Sequence, residues 1–257
     1  MKTLLNVLVL LYVGTRLTAC GPVLYSNVGQ NVPLLQEKGD LGGQIAYSGS
    51  YGAWDAEGIG IQGAYALTEK VGIISSFYSL NEVNDPNNEW EGNGSYFEVG
   101  SGLFGGNPQK KLMYEGYIGL GIGSIKNQSL VTSGEYINVK YLKPFIQPSV
   151  GFATKYFDLA LTPRIAYLNY TSRNDYWFDP NSALNTPGDF FDQNGSRLLF
   201  EPGILLRGGF PGAKLELQYN FSSIKEKSEN YFVNNEVYIS IGIRFLIAER
   251  TKGKEKK

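Results

Sequence analysis

The chain predicts an all-β fold: an up-and-down antiparallel transmembrane β-barrel of about ten strands, with short periplasmic turns and long external loops. Three observations predict it. Hydropathy alternates with a period of two over most of the chain after Asp40. The connections between alternating segments are short and long by turns. The polar parity is dominated by Gly, Ala, Ser, Thr, Gln and Tyr, where a water-facing surface would carry Lys, Arg, Glu or Asp at about a quarter to a third of positions.

The elements follow in chain order. Residues 1–19 have the layout of a lipoprotein signal peptide: Lys2, an apolar core from Leu4 to Val13 too short to span a bilayer, then Leu17-Thr18-Ala19-Cys20 after Arg16. Those four residues fit the bacterial lipoprotein box, in which the cysteine is acylated and becomes the first mature residue. Cys20 is the only cysteine, so no intrachain disulfide exists, and lipidation accounts for an odd thiol in an exported chain. Residues 20–39 then read as a lipid-anchored linker holding the barrel to the periplasm-facing leaflet. Residues 40–247 form the barrel, and 248–257 a basic periplasmic tail.

Strands are expected near 40–48, 57–67, 71–80, 95–105, 111–126, 140–154, 157–170, 197–209, 213–222 and 236–247. The segment Lys214 to Phe221 shows the pattern: Leu215, Leu217, Tyr219 and Phe221 share one face, and Lys214, Glu216, Gln218 and Asn220 the other. The segments from Asp158 to Tyr167 and from Val237 to Phe245 repeat it. Short links lie at 68–70, 106–109, 155–156 and 210–212; long ones at 48–56, 81–94, 127–135, 171–196 and 222–235. Period two leaves open whether the apolar face points in, as in a soluble lipocalin-type barrel, or out. The sparse charge on the polar parity, the strand lengths and the run Ser240 to Ile247 choose outward. That run matches the polar-x-Gly-x-x-aromatic-x-apolar signal of a terminal barrel strand, although a charged tail follows it.

The blocks NVPLLQEKGDLGGQIAYS, GIQGAYALTEKVGII, PFIQPSVGFA and FEPGILLRGG, with TAC before them, resemble the small outer-membrane β-barrel lipoproteins widespread in Bacteroidetes-type bacteria. The resemblance implies location and architecture. It implies no activity that transfers residue by residue.

Chemistry is constrained by what is missing. The chain has no histidine, the group most barrel enzymes use as base or base partner near neutral pH. No enzyme activity, cofactor or metal is expected. A net charge of −1 gives no whole-protein pull toward nucleic acid. The expected partners are outer-membrane lipid and lipopolysaccharide, with a protein or glycan at the external loops.

With the polar parity inward, the lumen holds Glu98, Glu115, Arg164, Glu201, Arg207, Lys214, Glu216 and Arg244. Ten strands enclose little more than side chains, so these residues read as a plug of ion pairs with Gln44, Gln62 and Gln147. The alternatives are a narrow channel or transporter for a small solute, and a carboxylate-based enzyme. Gly100, Gly102, Gly119, Gly121 and Gly123 leave room for large inward partners such as Tyr117. Trp177, Phe178, Phe190 and Phe191, interleaved with aspartates, form a candidate external contact loop. The acidic 81–94 loop lacks the spacing of a calcium-binding loop. The sequons at Asn93, Asn127, Asn169, Asn194 and Asn220 read as features of Asn-rich loops.

Overall fold

The computed structural model describes residues 22–51, 56–82, 89–107, 111–176, 191–192, 194–224 and 233–247. The strands are β1 (Val23–Ser26), β2 (Leu41–Tyr51), β3 (Ala56–Ala66), β4 (Val71–Glu82), β5 (Trp90–Asn107), β6 (Leu112–Ser129), β7 (Tyr136–Ala153), β8 (Phe157–Tyr176), β9 (Ser196–Phe210), β10 (Ala213–Phe221), β11 (Val233–Asn235) and β12 (Val237–Ile247). Ten of them close one antiparallel barrel, β2 through β10 in sequence order and then β12. Closure is made by β12 against β2, from Val237 opposite Tyr51 to Ile247 opposite Leu41. A closed sheet leaves no unpaired edge, which is the condition for crossing hydrocarbon with strands.

Alternation places the side chains as period two requires. On β10 Leu215, Leu217 and Tyr219 are 51%, 46% and 45% exposed, whereas Glu216 and Gln218 between them are 0% and 2%. The same split runs through β12, where Ile239, Ile241, Ile243 and Phe245 face out and Ser240 and Arg244 face in. The barrel is thus apolar outside and polar inside, the inverse of a soluble protein and the pattern of a membrane barrel.

The wall is uneven in height. β10 has 9 residues, β2, β3 and β12 have 11 each, and β4 has 12. β5, β6 and β7 have 18 residues each and β8 has 20. A tilted strand crosses the hydrocarbon core in about 9–11 residues. The short strands match that thickness, and the tall ones overshoot it. Because the tight turns all lie at one end, the excess of β5–β8 stands on the long-loop side.

The largest departure from the expected organisation is the segment before β2. Read from sequence as a linker outside the barrel, residues 22–35 instead run inside it. Leu24, Tyr25, Asn27, Gln30, Asn31, Val32 and Leu35 are each 0% exposed. The physical cause is composition: from Gly21 to Gln36 the chain carries no charge, so the lumen can take it in without desolvating an ion. The tail 248–257 lies outside the described residues.

Candidate functional site

The lumen is the site, and the threaded segment organises it. Its route is marked by hydrogen bonds from the barrel wall. At the long-loop end Asn127 Nδ2 donates to the Val23 carbonyl at 2.9 Å and Tyr170 Oη to that of Leu24 at 3.2 Å. Ser50 Oγ then meets the Asn27 carbonyl at 3.1 Å, and Asn220 Nδ2 that of Val28 at 3.1 Å. At mid-height Gln218 clamps Gln30: its Oε1 accepts from the Gln30 N–H at 3.1 Å and its Nε2 donates to the carbonyl at 2.7 Å. Gln147 Nε2 donates to the Asn31 carbonyl at 2.8 Å. Toward the short turns Arg207 reaches the Val32 carbonyl at 2.6 Å, Arg244 that of Pro33 at 3.2 Å, and Glu115 accepts the Leu34 N–H at 3.0 Å. The segment leaves beside β3, where Gly39 N–H donates to the Ala66 carbonyl at 3.0 Å.

These bonds answer an accounting problem. An extended chain away from a ladder leaves backbone donors and acceptors bare, and each is costly when buried. Inward Asn, Gln, Ser, Arg and Glu side chains replace the missing neighbour strand. At the mouth a real strand does so: β1 pairs in parallel with β11, Val23 opposite Val233 and Ser26 opposite Asn235. Space is equally specific at Gly29. A Cβ there would lie 2.6 Å from Tyr78 Oη, 2.8 Å from Gln218 Oε1 and 2.9 Å from Tyr238 Oη.

The predicted lumen charges all face inward, but they do not form one network. Arg164 bonds Glu98 through two nitrogens, at 2.9 and 3.1 Å, with both residues 0% exposed. Arg164 Nε also donates to Gln147 Oε1 at 2.9 Å, and its guanidinium stacks 4.3 Å from the Phe145 ring centroid. Arg207 Nε meets Glu216 Oε2 at 2.6 Å across adjacent strands, and Gln44 Nε2 donates to the other Glu216 oxygen at 2.6 Å. Lys214 pairs with Asp158 at 2.7 Å near the short-turn mouth. Glu115 and Arg244 serve the threaded backbone. Glu201 stands opposite Arg164 in the β8–β9 register, yet its ion-pair partner is Lys143 at 3.3 Å. Lys143 was not among the residues singled out from sequence. It shares the inward parity of Gln147 and Ser149 on β7, which was the available signal.

Tyr25 of the segment completes that pair. Its hydroxyl donates to Glu201, and Lys143 Nζ donates to the Tyr25 oxygen at 3.2 Å. Above it lies a layer of tyrosines: Tyr25 on Tyr141 at 6.1 Å, Tyr141 stacked on Tyr96 at 6.2 Å, and Tyr78 edge-on to Tyr238 at 6.0 Å between ring centroids. The inward glycines make room for rings as expected: Gly121 faces Tyr96 and Gly123 faces Tyr141, each too closely to admit a Cβ, while Tyr117 Oη lies 3.2 Å from where a Cβ on Gly72 would sit. This spared width is why ten strands enclose a peptide as well as side chains, correcting the expectation of an interior filled by ion pairs alone.

Of the candidate contact loop, Trp177, Phe178 and Phe190 lie outside the described residues. Phe191 packs edge-on against Tyr170 at 5.0 Å, with Arg173 5.5 Å above its ring. Of the acidic 81–94 loop, residues 83–88 are likewise outside, and the rest belongs largely to the ends of β4 and β5. The reading of the sequons as loop features does not hold for Asn93, Asn127, Asn169 and Asn220, which lie in β5, β6, β8 and β10; Asn127 and Asn220 are buried in the lumen, holding Val23 and Val28. Among the described residues no three of Asp, Glu or Cys converge as a metal site would need.

No protein-family model matches the chain, and no curated protein matches it. Among solved structures it is similar to the attachment invasion locus protein Ail of Yersinia pestis, at 13% identity and TM-score 0.36, covering 82% of this chain and 99% of Ail. It is similar to the outer membrane protease OmpT of Escherichia coli, at 13% identity and TM-score 0.45, over 81% of this chain and 94% of OmpT. The translocator domain of the autotransporter NalP of Neisseria meningitidis matches at 11% identity and TM-score 0.41, over 81% and 88%.

Proposed function

We propose that this chain is a lipid-anchored outer-membrane barrel, closed to solutes by its own N-terminal segment, with a structural or surface-interaction role and no catalytic one. The observation that carries the reading is the filling of the lumen at every level by residues 22–35, bonded to the wall from Asn127 down to Glu115. The engagement of the lumen carboxylates supports the non-catalytic part. Glu98, Glu201 and Glu216 each hold a cation, and Glu115 a backbone N–H. The apolar outer belt supports the membrane setting. The leader and the box at Leu17–Cys20 support the anchor. There the Cys20 thiol would displace the phosphate headgroup of a phospholipid, forming one S–C bond as one C–O bond breaks, its proton leaving with the headgroup.

The test is conductance in a planar bilayer. The full chain should give no single-channel steps; reproducible steps would overturn the closed reading. One observation favours a second reading, a narrow passage for a small solute. The pairs Arg164–Glu98, Lys143–Glu201 and Arg207–Glu216 are all made between barrel strands. The lumen would therefore stay charge-balanced if the segment left.

A further inference from the structure

The route of the threaded segment fixes which mouth receives the N-terminal end. Gly39 and Asp40 lie at the short-turn mouth, where the Asp40 carbonyl accepts from Ala66 N–H at 2.9 Å and Leu41 opens β2. Val23 lies at the other mouth, bonded by Asn127 two residues from the end of β6 and paired with Val233 in the connection between β10 and β12. Between them the contacts descend in order, with no reversal. The span is sufficient: an extended residue covers about 3.3–3.6 Å, and the hydrocarbon core is about 30 Å thick.

We propose that the N-terminal segment crosses the barrel from the short-turn side to the long-loop side, displaying the chain before Pro22 on the outer face. The acyl part rests on the anchoring reading above: an acyl group on Cys20 then belongs to the outer leaflet, not to the periplasm-facing one. Two features of the wall suit that seat. β2, β3, β10 and β12, at 9–11 residues, rise no higher than a crossing requires, while β5–β8 stand well above. β11, which grips β1, immediately precedes β12 of the low side. An acyl chain leaving beside β11 meets the lower rim.

The experiment uses the full chain in the outer membrane of intact cells, with a short epitope inserted between Gly21 and Pro22. An impermeant antibody reads the side, and metabolic labelling with an alkyne fatty acid reads acylation. Equal antibody signal before and after permeabilisation, with label lost in Cys20→Ser, is the expected result. Label present but antibody signal only after permeabilisation overturns the crossing and leaves the anchor standing. Antibody signal on intact cells without label overturns the anchor and leaves the crossing standing. A second measurement needs no epitope. Val23→Cys with Val233→Cys should form a disulfide under mild oxidant, because the two positions are register partners; a chain that folds and never cross-links overturns the crossing.

Discussion

The barrel wall and the segment inside it solve the same problem by opposite means. In the wall, backbone groups bond to neighbouring strands, so side chains need only choose a face. In the segment, ten carbonyl or N–H contacts between Val23 and Leu34 go to side chains of the wall. Outward positions of the wall therefore need only be apolar, whereas the segment depends on particular amides, hydroxyls and ions of the inward face. The inward polar face is a lattice of hydrogen-bonding groups for one guest strand, in addition to being the face turned away from lipid.

Predictions can break or sharpen that contrast, and the largest expected effect belongs to the wall's own charges. Arg164→Met leaves Glu98 buried and uncompensated, which costs about 3–5 kcal/mol. It should lower the temperature of the heat-modifiability shift in detergent, while Glu98→Gln in the same chain should recover part of the loss. No recovery would show that Arg164 acts through Phe145 and Gln147 instead. Next comes the outer face: Leu217→Arg or Ile241→Arg should cost roughly 2–4 kcal/mol near the bilayer midplane, read as loss of folded protein in the membrane fraction.

The segment should be more selective. Gly29→Val overpacks the contact with Tyr78, Gln218 and Tyr238, by about 1–3 kcal/mol. It should displace the segment without unfolding the barrel, so heat modifiability persists and conductance steps appear. If the barrel fails to assemble instead, wall and segment are one cooperative unit. The smallest effect is expected from Gln218→Leu, which removes both bonds to Gln30 and costs about 1–3 kcal/mol for the bare backbone groups. It should raise hydrogen exchange at Gln30 and leave Leu217 neighbours on the outer face unchanged.

These contrasts also explain what could be read in advance. The ten barrel strands were legible because each repeats a two-residue period over many positions, and their predicted limits agree with β2–β10 and β12 to within a few residues, except where β5–β8 extend above the membrane. The loop ends of β5–β8 were misjudged because the outward positions there are polar, as Glu91, Asn93 and Arg173 are, so the apolar half of the hydropathy alternation is lost. The inward placement of Glu98, Arg164 and Glu216 was legible from parity. Their pairing was not, since Arg164 passes over its register neighbour Glu201 to reach Glu98 across the lumen.

By itself, then, the sequence determined the barrel, its inside and its outside, because alternation is a local property that each strand carries alone. It also determined that residues 21–36 carry no charge. Where that segment goes was decided only by tertiary structure. Closing the sheet creates a lumen, the glycines of β6 widen it, and the amides that line it come from strands far apart in the chain. No local pattern encodes a hydrogen bond between Gln30 and Gln218 across 188 residues. The guest strand has no ladder to reveal it until the host is closed.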